Sequence, residues 1–242
     1  MINRLLLEEM NIYQEIMGKP DILPTEAIPF DENLAYLTAD YFDKALHDPQ
    51  NPEVQKSYAS LKKDIAKQWE YATKTLGYRF IPSTGDPYPN SEALQEDVRT
   101  THRLYFYTGG NLPANHPLSE IDPNTGFSYN DMFRAVHDLF GHAGHGNQFG
   151  PVGERRAFLD HAQMMSASSI PALAFETHAQ NSWFNFGKHL RTCNGRVCLK
   201  GEVGYVSPRD RPYAEQKANV LPASLSHVSA IYRALNTAKE SS

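Results

Sequence analysis

A mainly α-helical, single compact domain with a few short strands is what this chain of 242 residues predicts. Three observations carry that expectation. The length suggests one compact domain with an N-terminal extension, and no linker divides it into two cores. Apolar residues recur at helical spacing through several segments, most clearly from 53 to 76. Pro- and Gly-rich loops punctuate those segments, while alternating strand patterns are nearly absent. With 40% hydrophobic and 21% charged residues, the composition is that of a folded globular chain.

Residues 1–17 read as a short helix stopped by Gly18 and Pro20. A second helical pattern, Leu34, Tyr36, Leu37, Tyr41 and Phe42, lies inside a Pro/Asp/Asn-rich stretch. Residues 1–50 are therefore taken as an N-terminal helical extension or lid, and 51–242 as a metal-binding catalytic domain. From 53 to 76, Val54, Tyr58, Leu61, Ile65, Trp69, Ala72 and Leu76 form one apolar stripe, and Gly77 supplies a stop. A loop is expected over 78–90, then a helix from 91 to about 107 and a second loop over 108–127. Further helices are expected near 129–141, 153–168 and 170–190. Strands are expected only near 196–206, after Asn194-Gly195.

Net charge is −5 with neutral histidines, which argues against a nucleic-acid partner. No apolar run approaches the roughly 20 residues of a membrane span, and no signal peptide is visible. A cytoplasmic location follows as the expectation, with a homo-oligomer compatible. A two-residue turn at Asn194-Gly195 would pair Cys193 with Arg196 rather than with Cys198, so free thiols are expected.

Ten histidines beside two cysteines point to imidazole rather than thiolate chemistry. Seven of the ten lie in FSYNDMFRAVHDLFGHAGHG or after it. Ser128 with Asp131 reads as a variant capping box, and Phe127 with Met132 as its hydrophobic staple. His137 and His142 are five residues apart, which on a regular helix separates them by about 140°. They converge on one ion only if the helix ends or tightens at Gly141. Glu176, in the apolar SIPALAFETHAQNSWFNFG, is the expected third ligand, because a buried carboxylate requires a partner. Two imidazoles and one carboxylate make the facial triad of non-haem Fe(II) sites.

The block His137-Asp138-Leu139-Phe140-Gly141-His142 resembles the iron-binding signature of the pterin-dependent aromatic amino acid hydroxylases of bacterial type. The resemblance extends over about residues 95–190 and includes LYFYTGGN, similar to an aromatic strand or loop of the family. It implies that family's catalytic core, an Fe(II) cofactor held by His137, His142 and Glu176, and a tetrahydropterin co-substrate. The family's substrate-anchoring arginine has no counterpart in PLSEIDPNTGFSYN, and Arg134-Ala135-Val136 replaces its Pro-Asp.

The expected activity is thus a mononuclear non-haem Fe(II) monooxygenase acting with dioxygen on an aromatic or similar small molecule. Asp138 is expected to hold an imidazole or a bound water. His178 is a candidate proton-transfer group. Phe106, Tyr107 and Trp183 are candidates to line a slot for a planar cofactor. The competing expectation is an HD-type metal-dependent phosphohydrolase acting on a nucleotide, with His102, His137-Asp138 and Asp160 or Asp210 as ligands. A non-catalytic metal-stabilised protein would instead close the coordination shell.

Overall fold

The computed structural model describes residues 2–26 and 28–226; positions 227–242 of the expected second unit lie outside them. Polar caps start most of the long helices. Asn3, Asp31, Asn51, Asn90 and Ser128 each accept a backbone N–H of the first turn that they precede. The helices so begun are α1 (Arg4–Ile16), α2 (Glu32–Lys44), α3 (Pro52–Glu70), α4 (Ser91–Thr101) and α5 (Tyr129–His137). Three more follow, α6 (Pro151–Gln163), α7 (Ile170–Ala174) and α8 (Gln180–Phe186). The Ser128–Asp131 box forms as expected at its backbone half, with Asp131 N–H donating to Ser128 Oγ at 3.1 Å. The Asp131 carboxylate takes the serine hydroxyl rather than the cap's N–H.

Helix α3 runs through the centre. Val54, Tyr58, Leu61, Ile65, Trp69 and Ala72 are buried, so the predicted stripe is core, each large member contributing about 1.5–3 kcal/mol of burial. Leu6, Met10 and Tyr13 of α1 enter the same core, and Asn3 N–H donates to Gly144 O at 3.0 Å. Residues 3–16 therefore sit against the segment that carries the histidine block.

The strands differ from expectation. Two short ones, β1 (Arg79–Ser83) and β2 (Arg103–Tyr107), pair in parallel with α4 as the crossover. The sequence placed β1 in a loop, because Pro82 interrupts it, and β2 at the end of a helix, because LYFY is apolar. The chain breaks at His102, which caps α4 in the left-handed region at φ 53°, and the next residues alternate, with Leu104 and Phe106 inward. Near 196–206, where strands were expected, the described residues form turns, and only an isolated Cys193–Arg196 bridge remains.

Three helices widen locally into π turns, at Tyr71–Thr75, Asp138–Ala143 and Phe175–Ala179. In such a turn the hydrogen bond runs from residue i+5 to residue i, and π turns concentrate at functional sites. Two of the three hold His142 and Glu176, two of the residues singled out as ligands. Among the described residues no helix is long and apolar enough to cross a membrane.

Candidate metal centre

His137 closes α5, and His142 lies in the π turn that follows it. The expectation that the helix must end or tighten at Gly141 is corrected in form: it widens. Gly144 N–H donates to Leu139 O, five residues back, at 3.1 Å. A five-residue spacing is about one π turn, so both imidazoles come to the same face, with ring centroids 5.3 Å apart. Gly141 is needed there for close approach. A Cβ at this position would meet Ala157 O of α6 at 3.0 Å and His137 Cε1 at 3.3 Å.

The carboxylate that joins them is Glu154, in the first turn of α6. Ligand atoms of His137, His142 and Glu154 all lie within 4.8 Å of one another, and His142 Nε2 is 3.4 Å from Glu154 Oε2. Two donors at that separation can each stand roughly 2.1 Å from a shared ion. A buried His-His-Glu cluster of the facial-triad kind is therefore present, but Glu176, the expected third ligand, is not part of it. The reason is geometric. Glu176 lies in another π turn, where its Oε1 accepts the Tyr58 hydroxyl and faces His116 Nε2 at 3.2 Å. Its Oε2 accepts from Gln180 at 3.1 Å.

Hydrogen bonds outside the cluster orient its two imidazoles. Gln68 Nε2 donates to Met164 O, which turns Oε1 toward His161 Nε2 at 2.7 Å. The His161 proton is thus on Nε2, its Nδ1 accepts from His137 Nδ1 at 3.2 Å, and His137 Nε2 is left as a lone pair. His142 Nδ1 donates to Asn147 O at 3.1 Å, so its Nε2 is the atom presented to Glu154. Asn147 is held in turn by Gly141 O and by Asp160 Oδ2. Such outer hydrogen bonds orient metal-binding histidines.

The electrostatics separate the two histidines. Burial, then the neighbouring His142 and His161, holds His137 well below the usual histidine value. Burial, then the neighbouring His142, takes His161 down to about 3. For His142 burial also pulls downward, but Glu154, its contact and Asp138 outweigh it and push the group up to about 9. Burial raises Asp138 to about 6, against the opposing pull of His142.

A cavity of about 370 Å³ opens on one side, lined by His137, Asp138, Glu154, Glu176, Gln180 and Arg134. Phe133, Phe184 and Tyr213 form its apolar part. Arg134 stacks its guanidinium 5.3 Å from the Tyr107 ring and donates to Tyr107 O at 3.0 Å. Asp138 and Arg134 also line a neighbouring cavity of about 230 Å³ with Tyr107, Tyr88 and Phe149.

The other expected residues are dispersed. His178 is buried with its ring stacked on Phe158. Phe106 is fully buried between Trp69 and Phe127. Trp183 packs on His189 and donates to Asp43 at 3.2 Å. The ligand set of a phosphohydrolase is not assembled. His102 stacks on Tyr78, Asp160 is engaged by Thr25 and Asn147, and Asp210 accepts from Ser207. Cys193 and Cys198 form a disulfide, contrary to the expected thiols. The turn does pair Cys193 with Arg196, but the chain then folds back and brings the two cysteine Cα atoms to 5.3 Å.

Glu154 has no distinct signal in the sequence, because Arg155 and Arg156 follow it and suit an ordinary helix-start ion pair. Arg155 instead donates to Ile28 O, leaving Glu154 to His142. Tyr58 and Gln68 were read as parts of a helix; their only signal was a polar group on or beside a core stripe. Arg134 was legible in principle, since it lies one turn before His137 on the same helix. No protein-family model, curated protein or solved structure matches this chain.

Proposed function

We propose that the protein is a mononuclear non-haem Fe(II) oxygenase that hydroxylates a small molecule with an aromatic or similarly apolar body. The observation that carries this reading is the cluster of ligand atoms from His137, His142 and Glu154, all within 4.8 Å of one another beside an open cavity. Nitrogen and oxygen donors without thiolate suit Fe(II), and three protein ligands leave positions open, as a closed structural site does not. An iron held there would supply dioxygen activation, with two electrons from a reduced co-substrate, for which the sequence resemblance implies a tetrahydropterin.

The chain's own contribution is placement and exclusion of water. Gln68 and His161 hold His137 in its binding tautomer, and Asn147 does the same for His142. Asp138 sits at the cavity wall between Arg134 and the histidines, where a carboxyl of raised pKa can hold a proton near neutrality. Phe133, Phe184 and Tyr213 present apolar surface to the substrate body.

The test is oxygen consumption by the anaerobically Fe(II)-loaded protein on adding a reduced pterin, against the same protein loaded with Zn(II). Consumption only by the iron form supports the reading. Equal slow consumption in both, as from free pterin oxidation, contradicts it.

A further inference from the structure

Glu176 is about nine-tenths buried, lines the cavity beside the metal cluster and is not one of the cluster's ligands. Its described partners are all neutral. Tyr58 and Gln180 donate to it as a hydroxyl and an amide. His116 accepts the Leu118 N–H at Nδ1, at 3.2 Å, and so turns a protonated, uncharged Nε2 toward Glu176. The other two carboxylates of the cavity have cationic neighbours of their own. Glu154 faces His142 and the proposed ion, and Asp138 lies one turn from Arg134.

Burying a carboxylate among neutral donors is costly unless a ligand supplies the opposite charge. Oxygen Oε1 is occupied by Tyr58 and faced by His116, whereas Oε2 has a single described donor, Gln180, which itself lines the cavity. A carboxylate oxygen accepts two hydrogen bonds with ease. The free acceptor position therefore belongs to whatever fills the cavity. Phe133, Phe184 and Tyr213 favour an apolar body for the same molecule, and about 370 Å³ accommodates a ring with a short chain.

We infer that Glu176 is the docking group for an ammonium or similarly cationic amine on the substrate, whose apolar body lies against Phe133 and Phe184. This deepens the oxygenase reading and rests on it for the reaction, but the amine site itself needs no metal. It assigns Glu176 to substrate binding and leaves Glu154 to the ion.

Calorimetric titration of the full-length Fe(II)-loaded protein, kept anaerobic, with benzylamine, benzyl alcohol and phenylacetate tests it. The expected order is benzylamine tightest, by about tenfold over the alcohol, as a charge-assisted hydrogen bond to a buried carboxylate provides, with phenylacetate weakest. Glu176→Gln should bring the amine and alcohol to within about twofold while iron stoichiometry stays that of the wild type. No measurable benzylamine binding, equal binding of the amine and alcohol by the wild type, or loss of iron from Glu176→Gln would each overturn the inference. The wild-type order decides even where the variant fails to fold. If the wild type takes up no iron, the oxygenase reading fails, and the same three titrations on the metal-free protein still decide the amine site.

Discussion

The Nδ1 atoms of His137 and His161 face each other at 3.2 Å inside the core, and only one of them can carry the proton between them. Gln68 decides which, because its carbonyl oxygen takes the proton on the far side of His161. A residue on the central helix, with no contact to the cavity among its described bonds, thereby sets the lone pair that His137 offers to an ion.

Replacing Gln68 by Leu should free His161 to change tautomer and release His137 from its binding orientation. The expected result is a drop of about 10–100-fold in Fe(II) affinity. A stability loss of about 1–3 kcal/mol should accompany it, from His161 left without its partner. Competition with a chelating dye measures the first, and denaturant unfolding the second.

Gly141→Ala should couple packing to metal binding. The added methyl would press on Ala157 O at 3.0 Å, a backbone atom that moves only if α6 moves, and on His137 Cε1 at 3.3 Å. A loss of about 1–3 kcal/mol is expected from overpacking, with weakened iron binding because α6 also carries Glu154. Thermal melts with and without Fe(II) check both, since the metal-induced rise in Tm should shrink.

The metal-free protein should lose stability as pH falls from 6 to 5. Burial holds His137, His145 and His161 below their unfolded values, so the unfolded chain binds protons there that the folded chain does not. Asp160, raised by burial to about 7, and Asp138, raised to about 6, act in the opposite sense, since the folded chain keeps their protons. His142, raised to about 9, also keeps its proton in the folded chain, but its unfolded form is already mostly protonated in this window. The unfolded chain therefore still binds more protons, and stability falls as pH falls. Urea midpoints at pH 5 and 6 measure this, and equal midpoints would contradict it.

The disulfide closes a small loop, its cysteines five residues apart and remote in sequence from the histidine block. Cys198→Ser should cost at most about 2 kcal/mol, by the loop-closure argument, and leave bound iron unchanged. Alkylation of the native protein without reductant should add no mass; labelling of both cysteines would contradict the bond.

Much of this architecture was legible in the sequence, and the parts that were not have identifiable causes. The core stripe of α3 and the caps follow from periodicity and residue type, which act locally. The two histidines were found through their five-residue spacing, although the π turn that makes the spacing work is a backbone choice stabilised by the approach of α6 at Gly141. Glu154 and Glu176 exchange their expected standing because partner choice is tertiary. Tyr58 and His116 claim one carboxylate, and the start of α6 delivers the other to His142. Strand β2 was hidden because LYFY suits either period, and the left-handed His102 that separates it from α4 leaves no apolar signature.

The central claim is that His137, His142 and Glu154 hold one iron ion and that Glu176 does not. Iron stoichiometry after anaerobic Fe(II) loading and desalting, compared for the wild type, Glu154→Ala and Glu176→Gln, tests it most directly. The account predicts about one iron per chain in the wild type and in Glu176→Gln, and almost none in Glu154→Ala. Iron retained by Glu154→Ala and lost from Glu176→Gln would contradict it.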